Sequence, residues 1–310
     1  MNILLTGGAG FIGSHIVDAY IADGHDVTVI DDLSKGKKSN LHPAARLIVM
    51  DVRDPGLEDV FTASRFDVVN HHAAQIDVRR SVTEPSVDAS INILGTLGLL
   101  VRSRAHGVKK FIFASSGGAI YGECGDQGAS EGDLLRPESP YGVGKASAEL
   151  YVRLFGERLP YTILRYANVY GPRQNPRGEA GVITVFIDQM LTRQGTTIYG
   201  TGEQTRDFVH VADVVDANRA ALRGGNNLTL NIGTRVETSV NALYKTLARL
   251  DGVSQKPKYA PARSGEIERS LLNPANALRH LGWHPTRYLE QGLKGTLEYF
   301  RQRKEALVPA

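Results

Sequence analysis

The first half of the chain alternates short apolar runs with stretches of helical periodicity. The apolar runs cover residues 2–8, 26–31, 46–52, 67–74 and 110–116, and apolar residues recur at helical spacing after each of them. This alternation predicts a parallel sheet with helices on both faces. The runs are apolar almost throughout, as strands that are covered on both faces must be. We therefore expect an α/β fold built on a doubly wound parallel sheet.

The pattern loosens from about residue 167. Stretches rich in Gly and Pro, at residues 171–181, 224–227 and 256–266, separate shorter elements there. This change predicts a smaller C-terminal lobe, so that the chain divides into residues 1–166 and 167–310 with an interleaved boundary. No flexible linker separates the two parts, and we expect them to share an interface.

A glycine-rich turn lies between the first apolar run and the helical stretch after it. Residues 6–13 read TGGAGFIG, with glycines at positions 7, 10 and 13. Such glycines allow a tight turn, a close approach of the backbone to a pyrophosphate, and close packing of the helix on the sheet. The N-terminus of the helix adds unpaired N–H groups and a partial positive charge. The turn therefore predicts a site for the diphosphate of a dinucleotide.

An acidic residue ends the second apolar run. Asp31 lies 18 residues after Gly13, where dinucleotide-binding sheets place a carboxylate on the hydroxyls of the adenosine ribose. A carboxylate there would repel a 2′-phosphate, which favours NAD over NADP. Lys35 and Lys37 are the nearby residues that keep NADP as an alternative.

A tyrosine and a lysine share one face of a predicted helix that begins near residue 140. Tyr141 and Lys145 are four residues apart, so their side chains project on the same side. Lowering the pKa of a tyrosine from about 10 to about 7 requires roughly 4 kcal/mol of preferential stabilisation of the phenolate. A neighbouring ammonium and the positive ring of an oxidised nicotinamide are suitable sources. The pair therefore predicts a site for proton transfer.

Composition limits the classes of protein to which the chain can belong. Its net charge is only +3, and its basic stretches lack interleaved aromatic residues, which argues against nucleic acid as a partner. No apolar run approaches the roughly 18 residues of a membrane span, so no membrane partner is expected. A single cysteine and the absence of a signal-peptide pattern lead us to expect a cytoplasmic protein. Histidines and carboxylates are not spaced as metal ligands, and we expect no metal.

Four motifs together resemble those of the extended branch of the short-chain dehydrogenase/reductase superfamily. They are residues 6–13, 31–33, 115–122 (SSGGAIYG) and 141–145 (YGVGK). The likeness covers nearly the whole chain, and within the branch the chain looks most like the UDP-glucose 4-epimerases, often called UDP-galactose 4-epimerases. The resemblance implies a Rossmann-type sheet, a tightly held NAD and a UDP-sugar substrate in the C-terminal lobe. It also implies a homodimer built through a four-helix bundle, for which the helices at 85–100 and 148–155 are the candidates unless their apolar positions are ordinary core.

The resemblance further implies a role for each residue that matches a family motif. Tyr141 would take the proton of the sugar C4 hydroxyl while a hydride passes to NAD, giving a 4-keto sugar that receives the hydride back on its other face. Lys145 would hold the nicotinamide ribose and lower the pKa of the tyrosine. Beside these two, the implied cofactor-binding residues are Gly7, Gly10, Phe11, Ile12, Gly13, Asp31, Asp32, Asp51, Val52, Ala73, Ala74, Gln75, Asn92, Ser115 and Tyr166. Beside Tyr141, the implied substrate-binding residues are Gly117, Asn168, Val182, Ile183, Thr197, Tyr199, Arg206, Arg263 and Ser270.

Two features of the substrate residues concern specificity. Arg206 and Arg263 suit a diphosphate, because planar guanidinium groups pair with its oxygens in a bidentate manner. Ser270 stands where some epimerases have a bulky tyrosine, so an N-acetylated sugar is an alternative substrate.

The chain departs from its relatives at position 117. Most of them have Ser or Thr four residues before the tyrosine of this motif, Tyr121, and here that residue is Gly117. Ser116 would need an irregular backbone to reach the sugar, because successive side chains of a strand point to opposite faces. Our hypothesis is that Gly117 and Gly118 let the sugar approach Tyr141 directly or through a water. Ser116 as a substitute catalytic donor, and weak activity, are the alternatives.

The same motif narrows the reaction. Dehydratase-like relatives have an Asp-Glu pair before the Val-Tyr-Gly of this motif, and decarboxylase-like relatives have a Glu, whereas Gly118, Ala119 and Ile120 carry no titratable group. This leaves epimerisation. An epimerase of UDP-N-acetylglucosamine or UDP-glucuronate and an NDP-sugar reductase remain alternatives. A non-catalytic NAD-sensing module is disfavoured because both Tyr141 and Lys145 are intact.

Overall fold

Strands and helices alternate along the chain as the apolar pattern predicts. A computed structural model describes residues 1–176, 181–262 and 267–305. Its strands are β1 (Asn2–Thr6), β2 (Asp26–Asp31), β3 (Arg46–Val49), β4 (Val68–His71), β5 (Lys110–Ser116), β6 (Tyr161–Tyr166), β7 (Asn168–Tyr170), β8 (Thr197–Tyr199), β9 (Thr205–His210), β10 (Leu228–Ile232), β11 (Glu237–Ser239), β12 (Lys258–Ala260) and β13 (Arg269–Ser270). Its helices are α1 (Phe11–Ala22), α2 (Leu57–Ala63), α3 (Val78–Thr83), α4 (Pro85–Ala89), α5 (Thr96–Ala105), α6 (Gly117–Ile120), α7 (Pro140–Phe155), α8 (Val182–Thr192), α9 (Val211–Arg223), α10 (Val240–Asp251), α11 (Ala275–Leu281) and α12 (Leu289–Glu305). A 3₁₀ turn covers Lys38–Asn40, and a π-helical segment, Ser90–Gly95, joins α4 to α5.

Seven of the strands in the described residues form one parallel sheet. Their order is β10-β6-β5-β4-β1-β2-β3, and every neighbouring pair is parallel. The order reverses between β1 and β4, so the carboxyl ends of these two strands border the crevice where doubly wound sheets bind ligands. The predicted α/β fold of Rossmann type is confirmed.

Side chains of the central strands alternate between two hydrophobic cores on opposite faces of the sheet. On β5, Phe111 and Phe113 belong to one core, whereas Ile112 and Ala114 belong to the other. Helices cover both faces, which is why the strands contain few polar residues.

A separate core holds the smaller lobe together. Phe186 of α8, Leu243 of α10 and Leu293 of α12 are buried in it. Strand β9 pairs with β7, β11 and β13 at its edge, and β8 pairs with β12. This lobe therefore has its own hydrophobic centre beside the large sheet.

Two elements from the C-terminal half pack with the large sheet. Strand β10 pairs with β6 at the sheet edge, and α9 packs on α1, where the Tyr20 hydroxyl donates to the backbone carbonyl of Asn218 at 3.3 Å. The division between residues 166 and 167 stays a prediction about two lobes, because segments on both sides of it share the large sheet.

A buried ion pair fixes α7 against the centre of the sheet. The Arg165 guanidinium donates to the Glu149 carboxylate at 2.6 and 2.9 Å, and both side chains are 1% exposed. The Ser115 hydroxyl donates to the same carboxylate at 2.6 Å. Because α7 also carries the predicted catalytic tyrosine and lysine, this pair sets where they lie relative to β5.

Removing the cation of this pair is expected to destabilise the fold. In Arg165→Met the Glu149 carboxylate loses its main partner while buried, and we expect the free energy of unfolding in urea to fall by about 3–5 kcal/mol. The double variant Arg165→Met/Glu149→Gln should recover part of this loss. Arg249→Ala, which breaks an exposed ion pair with Glu290, is the control and should leave stability unchanged. Equal stability of Arg165→Met and the parent protein would contradict the interpretation.

Candidate active site

The glycine-rich turn between β1 and α1 forms a cradle that only backbone can line. Gly7 has a φ of +72°, and a Cβ on it would lie 2.6 Å from the backbone nitrogen of Ala73. A Cβ on Gly13 would lie 2.2 Å from the carbonyl oxygen of Gly7. The N-cap of α1 is Gly10, so no side chain caps this helix. The first N–H groups of a helix have no intrahelical acceptor and can therefore bind a ligand. The arrangement fits the diphosphate of a dinucleotide.

Asp31 lies at the carboxyl end of β2 next to this cradle. Its two carboxylate oxygens accept hydrogen bonds from the backbone N–H groups of Ala9 and Leu33, each at 2.9 Å. Burial raises the pKa of Asp31, and the two backbone hydrogen bonds oppose that rise. The neighbouring Asp32 is exposed and accepts instead from the hydroxyl of Ser34 at 2.7 Å. Of the two predicted carboxylates, Asp31 is the one held against the cradle.

Asp51 and Val52, the two residues predicted to lie near the adenine, have different surroundings from each other. Asp51 is bound by the Arg53 guanidinium at 2.5 and 2.9 Å, which lowers the pKa of the carboxyl group. Val52 is buried against the π-helical segment, where a Cβ on Gly95 would lie 2.9 Å from a Val52 methyl carbon. Val52 therefore fixes the distance between the end of β3 and that segment.

His71, at the end of β4, joins the cradle to the start of α5. His71 Nδ1 lies 2.7 Å from the Thr6 hydroxyl, and Nε2 lies 3.0 Å from the Thr96 hydroxyl. Because Thr96 donates its proton to the carbonyl of Asn92 at 2.7 Å, it accepts from Nε2–H, and Nδ1 accepts from Thr6. Burial lowers the pKa of His71 well below its ordinary value. A neutral imidazole with one fixed tautomer therefore joins β1, β4 and α5.

Asn92 locks the loop that follows β4. Its Oδ1 accepts from the Gln75 backbone nitrogen at 3.0 Å, and its Nδ2 donates to the Gln75 carbonyl at 2.9 Å. The Ala73 nitrogen donates to the Thr6 hydroxyl at 3.2 Å. The predicted cofactor residues 73–75 and Asn92 thus lie together beside the cradle.

The predicted catalytic pair lies on the first two turns of α7. Ser139 caps this helix by accepting from the Gly142 nitrogen at 3.1 Å, and Pro140 follows as the first helical residue. Lys145 is 4% exposed, donates to the Ala114 carbonyl at 2.9 Å, and lies 4.9 Å from the centroid of a phenylalanine ring of β5. Burial lowers the pKa of Lys145 to about 8. The amine is therefore held at the carboxyl end of β5, one helical turn from Tyr141.

The pKa of Tyr141 depends mainly on burial. Burial raises it to about 12, and the hydrogen bond with Ser116 opposes this rise. Lys145, whose amine donates to the Ala114 carbonyl, was expected to lower this pKa, and that effect stays a prediction. The positive charge of an oxidised nicotinamide is the other source of lowering that the sequence analysis identified.

Ser116 reaches the tyrosine because the backbone changes conformation at this residue. Strand β5 ends at Ser116 and α6 begins at Gly117, with Ser116 as the N-cap. The side chain of Ser116 lies close enough to Tyr141 to lower the pKa of its phenol, while the hydroxyl of Ser115, implied as a cofactor contact, is bound to the buried Glu149. The irregular backbone that Ser116 was expected to need is present.

The two glycines after Ser116 have different neighbours. A Cβ on Gly117 would lie 2.5 and 2.8 Å from the two methyl carbons of Leu272, so the hypothesis that Gly117 makes room for a sugar is wrong at this position. A Cβ on Gly118 would lie 3.6 Å from Asn168 Oδ1 and 3.9 Å from Ser270 Oγ. Gly118 therefore faces two of the predicted substrate residues.

Tyr166 is buried beside the same loop. Its hydroxyl accepts from Asn218 Nδ2 at 2.9 Å and lies 3.0 Å from Nε2 of His72, whose ring stacks on it at 6.0 Å. Burial raises the pKa of Tyr166. Its hydroxyl is thus occupied by protein groups, which leaves the ring as the part that can contact a nicotinamide.

The remaining substrate residues come from the smaller lobe. Ser270 pairs in register with Arg206, and Arg206 donates to the Thr205 carbonyl at 2.8 Å. The side chain of Ile183 is buried in the lobe core, so only its backbone is available to a ligand. Other predicted residues lie at the start of α8 and on β8, namely Val182, Thr197 and Tyr199. Arg263 lies outside the described residues.

Two residues near the site were missed by the sequence analysis. Leu272 follows Ser270 by two residues, and nothing local marks its contact with Gly117. Asp88 is buried beside Asn92 and Gln75. Its signal is a pair of polar residues, Asp88 and Asn92, four apart in an otherwise largely apolar stretch.

Neither a metal centre nor a membrane segment is found in the part of the chain that the structure describes. Three or more His, Cys, Asp or Glu side chains do not come together there as ligands for a metal ion. Among the described helices, none is both long and apolar enough to span a bilayer.

Comparisons with known proteins agree with this geometry. The model of the NAD dependent epimerase/dehydratase family matches residues 3–233. The putative UDP-glucose 4-epimerase of Methanocaldococcus jannaschii is 45% identical over 301 residues, which covers 96% of this chain and 98% of that protein. The crystal structure of UDP-glucose 4-epimerase from Thermotoga maritima with UDP-glucose is 48% identical, with a TM-score of 0.96 over 98% of this chain and 100% of that chain. The Thermus thermophilus UDP-glucose 4-epimerase in complex with NAD is 40% identical, with a TM-score of 0.92 over 97% and 99% of the two chains.

The contact between Gly117 and Leu272 leads to a stability prediction. Leu272 is buried, so the added methyl of Gly117→Ala is expected to lower the free energy of unfolding by about 1–3 kcal/mol through overpacking. Gly118→Ala adds the same methyl at ordinary contact distance and should leave stability unchanged. The double variant Gly117→Ala/Leu272→Ala should lose less than the sum of its single variants. Equal urea midpoints for the two glycine variants would contradict this contact.

Proposed function

The chain belongs to the NAD dependent epimerase/dehydratase family, and we propose that it is an NAD-dependent UDP-glucose 4-epimerase that interconverts UDP-glucose and UDP-galactose. The observation that carries the proposal is the contact of Ser116 with Tyr141 and of Lys145 with Ala114, at the carboxyl end of β5, which is separated from the cradle strand β1 by β4 alone. The same reaction is named for the relatives that resemble the chain over almost its whole length.

NAD would be held by three parts of the first lobe. The cradle glycines and the N-terminus of α1 would bind its diphosphate, Asp31 its adenosine ribose, and the loop at 73–75 with Asn92 its nicotinamide half. Lys145 would bind the nicotinamide ribose. The chemistry that NAD supplies when bound is reversible acceptance of a hydride from C4 of the sugar.

The chain's own residues move the proton. Tyr141 takes the proton of the C4 hydroxyl, and Ser116, which lies beside the phenol, binds the reacting oxygen and relays the proton. Loss of the proton and the hydride leaves a 4-keto sugar. After this sugar turns over in the site, C4 receives the hydride back on its other face and Tyr141 returns the proton to the C4 oxygen, which gives the opposite epimer. The cofactor is unchanged at the end of the cycle.

The surroundings of the sugar favour epimerisation without loss of water or carbon dioxide. Residues 118–120 of α6 carry no titratable side chain, and elimination or decarboxylation would need an extra acid or base. Asn168 and Ser270 face Gly118 from the smaller lobe and would bind the sugar. Arg206 and Arg263 would bind the diphosphate.

A UDP-N-acetylglucosamine 4-epimerase is the second candidate. The observation that favours it is the small side chain of Ser270 beside Gly118, which leaves room for a 2-acetamido group. The test of function below therefore includes N-acetylated substrate.

We also propose that the protein is a cytoplasmic homodimer. Leu150 and Leu154, one turn apart on α7, are 65% and 71% exposed, and Leu94 and Val101 are exposed on the neighbouring helical segments. A row of exposed apolar side chains on adjacent helices suits a four-helix interface between two copies. The single cysteine, which is free, suits a reducing compartment.

The test of function uses purified protein without added nicotinamide. We expect it to carry bound NAD and to convert UDP-galactose to UDP-glucose, and the same assay with UDP-N-acetylgalactosamine tests the second candidate. Tyr141→Phe should lose at least about 10²-fold in kcat, and Ser116→Ala should lose well over tenfold. Turnover that requires added NADH would identify a reductase. Near-parental turnover of Ser116→Ala would show that a water, not this serine, relays the proton.

The test of the dimer uses light scattering after size-exclusion chromatography. Leu150→Glu/Leu154→Glu buries charges in the proposed interface and should convert the dimer to a monomer. Tyr288→Glu alters a side chain that is 84% exposed elsewhere on the surface and should remain dimeric. A parental protein that is monomeric at micromolar concentration would contradict the proposal.

A further inference from the structure

A buried carboxylate lies beside the active site without a role in the steps above. Asp88 of α4 is 1% exposed. Its Oδ1 accepts from Gln75 Nε2 at 2.9 Å and from Asn92 Nδ2 at 3.0 Å. Its Oδ2 is buried and accepts no hydrogen bond from any residue that the structure describes. A buried charged oxygen without a partner is costly, so a favourable interaction of another kind must offset it.

The unpartnered oxygen faces α7 next to the catalytic lysine. A Cβ on Gly144 would lie 2.9 Å from Asp88 Oδ2, so any side chain at position 144 would displace the carboxylate. Lys145 follows directly, is almost fully buried, and interacts electrostatically with Asp88. The charge of the Asp88 carboxylate also raises the pKa of Tyr141.

The other ionisable groups around the lysine cannot replace this carboxylate. Glu149, one turn further along α7, is already bound by Arg165. His71 and His72, at the end of β4, are neutral near pH 7 because burial lowers the pKa of the first well below its ordinary value and that of the second to about 3. Of the two carboxylates that act on Lys145 in the described part of the chain, Asp88 and Glu149, Asp88 is the one that no arginine binds.

We propose that Asp88 is a positioning residue of the active site, whose carboxylate is the counter-ion of Lys145 and orients the amide groups of Gln75 and Asn92. This inference rests on the proposed epimerase function. A buried ammonium needs an opposite charge to stay protonated. The two amides each donate one N–H to Asp88, which leaves their carbonyl oxygens directed at the backbone of the loop after β4.

The negative charge of Asp88 raises the pKa of both Lys145 and Tyr141. Burial lowers the pKa of Lys145 to about 8, and Asp88 opposes that lowering. Burial raises the pKa of Tyr141 to about 12, and Asp88 raises it further. Removing the negative charge therefore lowers both values.

The experiment is the pH profile of kcat/KM for Asp88→Asn, measured on protein that carries its bound NAD. Asparagine keeps the size of the side chain and the oxygen that accepts from the two amides, but it removes the charge. We expect the acidic and the alkaline limbs to move to lower pH together, by about one unit. The two limbs of the profile report apparent pKa values that belong to Lys145 and Tyr141 as a coupled pair.

Two further variants test whether a shift of the pH limbs is caused by the charge of Asp88. Gly144→Ala pushes the carboxylate away without changing its charge, and it should move both limbs in the same direction by less. Glu84→Gln removes a half-exposed carboxylate at the N-cap of α4, and it should leave both limbs in place.

A second readout does not need the reaction. In protein freed of NAD, the pKa of the Lys145 amine is measured by NMR of labelled lysine, with Lys145→Met to assign the signal. We expect Asp88→Asn to lower that pKa by about one unit. A fall in kcat at every pH with unmoved limbs and an unchanged lysine pKa would overturn the proposal, since it would show a role in packing alone. An inactive parental protein whose Lys145 pKa still depends on Asp88 would disprove the proposed function and leave the counter-ion in place.

Discussion

The hydrogen bond from Lys145 to the Ala114 carbonyl holds α7 against the end of β5, and the geometry of the site depends on how closely these two elements approach. A Cβ on Gly142 would lie 2.4 Å from the Ala119 carbonyl oxygen, and one on Gly144 would displace the Asp88 carboxylate. Glycine is therefore needed at positions 142 and 144 of YGVGK because a larger residue would not fit there. With the helix at this distance, Tyr141 lies beside Ser116 and the Lys145 amine lies at the carboxyl end of β5.

Patterns close together in the sequence predicted most of what local chemistry decides. The apolar runs predicted β1 to β5, five of the seven strands of the large sheet. Glycine spacing predicted the cradle, and the interval of four predicted that Tyr141 and Lys145 share a helix face. Contacts between distant residues were beyond such patterns. Leu272 contacts Gly117 although the two residues are 155 positions apart in the sequence. No local sequence pattern predicts this contact. The burial that raises the pKa of Tyr141 was also beyond such patterns, because burial depends on the whole fold.

Carboxylates that accept several hydrogen bonds hold the parts of the site that come from different lobes. Asp207 of β9 accepts from the nitrogen and the hydroxyl of Thr234 and from the Leu272 nitrogen at 3.4 Å. It thereby fixes the loop after β10 and the chain after β13. Leu272 in turn packs on Gly117. The position of the smaller lobe is thus transmitted to the backbone beside Ser116 through packing and hydrogen bonds.

The position of β10 at the edge of the large sheet has a consequence for biosynthesis. The ribosome makes β7, β8 and β9 before it makes β10, the strand that pairs with β6. A nascent chain released only as far as β6 cannot cover that edge with its own residues, and exposed strand edges favour aggregation. Completion of the sheet therefore has to wait until about residue 232 has left the exit tunnel, and by then part of the second lobe has already emerged.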